Sequence, residues 1–271
     1  MNIIQRNFFK LLCSGAFNTT VSIEPMSVFK WYKLFQMVDV QNVLTTFVKG
    51  VNNCAKDENM QLPIELIQRV QDALMERKKG TNIEKGKVRL SNKFLNRKLE
   101  KIIHRELHNI DTSIEAIETL KIIVYNTYAM LNRGISLEGI IRLGWYMRNK
   151  GDKIDFVKLE QWLMELHLQR IAQLQGCILI DFFYFEKDEL PFVQNIEKET
   201  KNIMIRLVSN LAKDTTLDWS FTQNSAGFLK NNGVSMRKNI RRGFRYFAYA
   251  PLETTSNFVG NLAKSLSEIE E

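Results

Sequence analysis

The feature that most narrows the fold is the spacing of apolar residues. In "LSNKFLNRKLEKIIHRELHNI", Leu90, Phe94, Leu95, Leu99, Ile102, Ile103 and Leu107 recur every three or four positions. Lys93, Arg97, Lys98, Lys101 and Arg105 take the opposite side. That is the period of an amphipathic helix with a solvated basic face. In "NIDTSIEAIETLKIIVYNTYAMLNRG", Thr112 and Glu115 have capping-box spacing and Gly134 marks a C-terminal stop. Ser136 opens a helix to about Lys150, and Asp155 caps the next. "FVKLEQWLMELHL" and "QRIAQLQGCILIDFFYF" continue the helical pattern, the second with room for a short strand, and Pro191 starts a helix to about Lys213. No alternating strand series and no internal repeat interrupts it. The expected fold is all-α and multi-helical. It has an N-terminal part over 1–109 and a C-terminal part over 110–271, sharing one core or forming one continuous domain. "KKGTNIEKGK" is a break. Asp214 to Gly233 reads as a long irregular excursion anchored by Trp219, Phe221 and Phe228.

With 271 residues, 45% of them hydrophobic, and only four prolines, the chain can bury a sizeable core, which excludes wholesale disorder. The net charge of +8 suits an anionic partner. Cys13, Cys54 and Cys177 are odd in number and far apart, so neither a zinc knuckle nor a disulfide scaffold is indicated, and a reducing compartment fits. At the start, "MNIIQRNFFKLLCSGAF" lacks the clean apolar run of a signal peptide because Arg6 and Lys10 interrupt it. No window reaches the ~18 apolar residues of a membrane span. The expected location is the cytoplasm, with the inner face of the membrane as a peripheral site.

The chemical motifs are sparse. His104 and His108 stand four apart, a spacing that can chelate zinc, but Arg105 holds the place where metalloproteases carry glutamate. The bland reading, a solvated helix face, wins. Arg97 and His104, separated by six residues, resemble the arginine–histidine pair of the all-α HEPN ribonucleases, in which arginine would hold phosphate and histidine would move a proton. In "GDKID", Asp152 and Asp155 are three apart, wider than the paired acids of a nucleotidyltransferase, and read as a turn plus N-cap. No Walker loop, GxGxxG or GxSxG is present. No metal and no cofactor is expected, and no small-molecule substrate is inferred.

Several stretches in order resemble a bacterial family of uncharacterised nucleotidyltransferases, common in Bacteroidetes and found near surface-polysaccharide genes. They are "QRNFFKLLCSGAF", "LFQMVDVQNVL", "SNKFLN", "GISLEGIIRLGWYM", "DKIDFVKLEQWLMELHL", "LPF" and "RRGFRYFAYAPLE". The resemblance implies a helical scaffold around a small α/β core bearing "GDxD" carboxylates. Here the helix that opens at "SNKFLN" runs through "HRELHNIDTSIEAIETL" straight into the C-terminal helices, so about one catalytic core's worth of sequence is missing.

The basic tail "RKNIRRGFRYFAYAP" completes the reading. From Ser235 to Ala248 a helix is expected with Ile240, Phe244 and Phe247 against the body. Arg237, Lys238, Arg241, Arg242 and Arg245 would form an outward basic ridge. An anionic membrane surface and a nucleic acid or other polyanion are the alternatives to simple docking. The function expected is that of a non-catalytic helical interaction or regulatory protein related to nucleotidyltransferases, acting in surface-polysaccharide production with a protein partner. The alternatives are a HEPN-like RNase using Arg97 and His104, or the helical subunit of a two-component nucleotidyltransferase.

Overall fold

The computed structural model describes residues 1–79, 88–210, 222–223, 229–230 and 245–270. Helix α1 spans Ile3–Phe17, α2 Val28–Val40, α3 Leu44–Asn53, α4 Ile64–Lys79 and α5 Lys93–Leu107. There follow α6 Ile114–Asn132, α7 Leu137–Lys150, a 3-10 turn Gly151–Lys153, α8 Phe156–Glu165, α9 Gln169–Phe183, α10 Thr200–Ser209 and α11 Pro251–Glu270. The fold is all-α and multi-helical, as the periodicity requires. One two-residue antiparallel ladder, Thr222–Gln223 with Leu229–Lys230, falls in the expected excursion, whose remaining residues, Trp219, Phe221 and Phe228 among them, lie outside the described residues.

A single hydrophobic core takes in residues from Phe8 to Ala250. Helix α1 runs through its N-terminal half, packing on α2 and α3 and reaching α7 and α9. Phe9 meets Phe182 at 4.6 Å and Phe183 edge-on at 6.1 Å, so α1 links the two halves of the chain. Asn2 and Gln5 close a reciprocal capping box at its start. Arg6 and Lys10, the residues that break an apolar run, both bind Glu24, with Arg6 at 2.6 Å. The Arg6 hydrogen bond, aided by Lys10, lowers the Glu24 carboxyl to about 2. These contacts and the exchange of hydrogen bonds between the Asn7 side chain and the Glu24 backbone fasten the segment after α1 to the helix.

Several expected boundaries hold. Ser136 caps α7, Asp155 caps α8, and Gly134 takes φ +94° just past α6, a conformation that favours glycine. Others shift. Ser113, not Thr112, caps α6, because the Thr112 hydroxyl is turned back to donate to the Glu106 and Asn109 carbonyls. The stretch read as helical with room for a short strand is helix throughout Gln169–Phe183, ended by Tyr184 at φ 56°. The helix expected from Pro191 starts at Thr200 instead. Phe192 and Val193 are buried in the preceding turns, where Val193 packs against Gly176 of α9. Their burial comes from plugging a helix surface and not from helical period.

Helix α6 is the second organising element, touching α5, α7, α8, α9 and α11. At its centre the Asn126 amide donates to the Gly139 carbonyl at 3.1 Å and to Gln175 Oε1 at 3.0 Å. The Gln175 amide in turn donates to the Ile123 carbonyl and to Thr127 Oγ1. Asn126 Oδ1 is buried without a partner. Helix α5 packs on α6 and is tied to α8 and α11, so it joins the helices that follow residue 109.

The tightest approach is between α1 and α3. A Cβ on Gly15 would stand 1.9 Å from the Thr46 carbonyl oxygen, and one on Gly50 would stand 1.9 Å from that of Leu11. Both obstacles are backbone. Gly50→Ala is expected to cost at least about 2 kcal/mol, since helices held this close must move apart. Gly260→Ala in α11 meets nothing within 4 Å and is expected to stabilise by about 0.8–1 kcal/mol through helix propensity. Thermal unfolding of the two variants should therefore move Tm in opposite directions.

Candidate anion-binding face

Helix α5 is built as an outlying rod with one buried and one open side. Leu95, Leu99, Ile102 and Glu106 face inward. Glu106 is a buried acid whose Oε1 takes two donors. It accepts from Lys158 Nζ at 2.8 Å and from the Ser113 N–H at 3.0 Å. Burial pushes its carboxyl up, but Lys158 and the Ser113 N–H together outweigh that and hold it below its usual range. Lys158 also donates to the Asp111 carbonyl, so this pair fixes the end of α5 against α8.

The start of α5 is fixed from the other end of the chain. The Asn92 side chain accepts from the Phe94 and Leu95 N–H groups. The Ser91 and Asn92 N–H groups donate to the two carboxylate oxygens of Glu253 in α11, at 2.7 and 3.1 Å. Glu253 is only 2% exposed, and burial pushes its carboxyl up against the pull of those two donors. One and two turns further along α11, Asn257 donates to Ser91 Oγ and to Asn132 Oδ1, and Asn261 donates to Asn132 Oδ1. Ser91 and Asn92 of "SNKFLN" and Glu253 of "PLE", far apart in sequence, thus meet.

Between these fixed ends lies the open side. With 3.6 residues per turn, Lys93, Lys101, His104 and His108 all fall within about 40° of Arg97 around the helix axis. All five are exposed. No acid lies within 4 Å of Lys93, Arg97 or Lys101 among the described residues, whereas Arg105 meets Glu165 at 3.9 Å. Arg97 and His104, the candidate ribonuclease pair, share this face two turns and about 10 Å apart along the axis. They stand on a convex surface, with Lys101 between them in sequence. The His104 ring stacks on His108 at 4.3 Å, and His108 Nδ1 donates to the His104 carbonyl at 2.7 Å. Among the described residues no group of three or more His, Cys, Asp or Glu could hold a metal ion.

The tail docks differently from its expected pattern. Phe247 is 48% exposed, while Tyr246 is 1% exposed and Tyr249 and Ala250 are buried. The inward residues are the tyrosines, so Phe247 does not face the body. The reason is Arg170 at the start of α9. Its guanidinium donates to the Ala248 carbonyl at 2.9 Å, lies 5.0 Å over the Tyr249 ring and pairs with Glu197 at 3.0 Å. Arg245 is exposed. Arg237, Lys238, Arg241, Arg242, Ile240 and Phe244 lie outside the described residues. Among the described residues no helix is long and apolar enough to cross a membrane.

Sequence reasoning listed the α5 cations as a solvated face and missed the Glu253 and Arg170 clamps. Neither has a local signal, since each joins residues far apart in the chain. Tyr246→Ala should destabilise by about 3 kcal/mol, the scale of a large aromatic removed from a core. Phe247→Ala should stay within about 0.5 kcal/mol, as for a surface change. Chemical denaturation of both variants checks this ordering. Comparison with protein-family models, curated proteins and solved structures finds no match to this chain.

Proposed function

We propose that this chain is a non-catalytic helical interaction protein, a nucleotidyltransferase-like scaffold that works without a catalytic core. The observation that carries this reading is the closure between α5 and α11. Ser91 and Asn92 stand where the resemblance has its asparagine helix, which there leads into an α/β core. Here their N–H groups are taken by Glu253 from the tail. The helix then passes directly into α6 through a loop tied down by Glu106 and Lys158. Asp152 and Asp155 do not supply the missing acids. Asp155 is committed to capping α8, and Asp152 lies in the 3-10 turn before it. The setting, surface-polysaccharide production beside a protein partner, comes from the resemblance alone.

The second reading, a ribonuclease, is favoured by the shared face of Arg97 and His104. It is weakened by the exposure of both residues on one helix, with no opposing wall among the described residues to position a scissile phosphate. Titration calorimetry with magnesium and each nucleoside triphosphate should show no binding tighter than the millimolar range. A single micromolar site would overturn the non-catalytic reading. So would RNA cleavage by the purified chain that disappears in both Arg97→Ala and His104→Ala with folding intact.

A further inference from the structure

Some cations of this protein are held by acids and others, such as Lys49, Lys56 and Lys153, are exposed with no acid within 4 Å among the described residues. Arg6, Lys10, Lys121, Arg148, Lys158, Arg170 and Lys201 each have an acid within 4 Å. What sets the open side of α5 apart is the alignment: Lys93, Arg97 and Lys101 succeed one another four residues apart on one face, with no acid within 4 Å among the described residues. Each step along this row rises about 6 Å and turns about 40°. His104 extends it, giving a basic row of about 16 Å from Lys93. Within α5 the acid at the edge of the row is Glu100, which accepts a hydrogen bond from the Asn96 amide. Phe94, beside Lys93, is 75% exposed.

The shape of the row selects the ligand. A compact anion such as a free phosphate is held by donors that converge on it. Side chains radiating from a convex helix diverge, so they suit a partner that brings one negative charge to each cation in turn. A lipid surface would also want apolar side chains beside the cations. Beside the row only Phe94 is a large exposed apolar side chain among the described residues of α5; the exposed aliphatics nearby, Leu107, Ile110, Ile114 and Val157, sit at the far end of the helix. That corner carries Asp111, with its side chain 92% exposed, and Asp155. Pressing those aliphatics into an anionic bilayer would drive Asp111 against the headgroups. The basic row and the aliphatic corner therefore do not make one lipid-binding face.

We infer that the open side of α5 binds the phosphodiester backbone of a nucleic acid, with Lys93, Arg97 and Lys101 each neutralising one phosphate and Phe94 offering a ring for a base to stack on. This rests on the reading that the chain acts by binding and not by turnover. Contacts to phosphate carry no sequence information by themselves, so the affinity is sequence-independent and sensitive to salt. Phe94 adds a contribution only where bases are unstacked and can reach its ring.

The test is fluorescence anisotropy with the full chain, using a short duplex and a single strand of the same sequence as separate arms, over about 50–200 mM salt. Three neutralised phosphates contribute about −2.7 to the slope of log K against log salt for the duplex, or about −2 for the single strand. The triple change Lys93→Ser, Arg97→Ser and Lys101→Ser should remove that much slope and leave Tm unchanged. Phe94→Ala should weaken the single-strand arm about tenfold and leave the duplex arm alone. The comparison variant carries Arg237→Ser, Lys238→Ser, Arg241→Ser and Arg242→Ser. A slope that the α5 triple change leaves intact and the tail variant removes overturns the assignment to α5. Binding to anionic vesicles but to neither nucleic acid overturns the ligand class. Both of those results leave the non-catalytic reading standing, because it falls only to nucleotide binding or RNA turnover.

Discussion

The contact between α1 and α3 sets the geometry of everything around it. Gly15 and Gly50 let two backbones come within reach of each other's carbonyls, and any side chain there would fill space already taken by main chain. Because α1 is held so close on one side, its other faces are free to carry Phe8, Phe9, Leu11, Leu12 and Cys13 into the core. Through Phe9 it grips α9, the most deeply buried helix of the C-terminal half. A helix displaced by even a methyl group would have to drag these aromatic contacts with it, since interiors are packed as tightly as organic crystals.

Away from that contact, polar groups decide how helices fit. Asn126, Gln175 and Thr127 form a chain of hydrogen bonds in the middle of an apolar interior. Sliding α6 along α9 would strand several buried donors and acceptors at once, each costing about 1–3 kcal/mol. Such a seam specifies register, and it does so while leaving Asn126 Oδ1 unpaired. The α11 seam is of the same kind. Glu253, Asn257 and Asn261 read three points on the ends of α5 and α6, where an apolar stripe alone would tolerate slippage.

How much of this was legible depended on the range of the interaction. Ser136, Gly134 and Asp155 act within a turn or two, so their roles can be read directly from the sequence. Thr112 and Ser113 are neighbours that can both cap a helix, and the Glu106 and Asn109 carbonyls that capture the Thr112 hydroxyl leave the cap to Ser113. Phe192 and Val193 look like the start of a helix after a proline, yet they fill the space left by Gly176 on α9. Tyr246 and Tyr249 turn inward in place of Phe247 because Arg170 takes the intervening carbonyl. The α5 cations were visible from the start. What the sequence could not convey was that three of them lack acid partners among the described residues, because pairing depends on which helices lie alongside.

The Glu253 clamp also orders events in time. Its carboxylate and the Ser91 N–H it accepts are 162 residues apart in the chain. At about 5–20 residues per second, synthesis places about 8–30 seconds between the emergence of the first residue of α5 and that of the group that seals it. During that interval α5 has its Asn92 cap and its inner apolar face, but the donors just before the helix still face water. The basic row thus acquires its fixed base only after Glu253, 162 residues beyond Ser91, has been made. A ribosome that stalled short of α11 would release a protein whose helical body was largely assembled but whose charged face was not yet anchored.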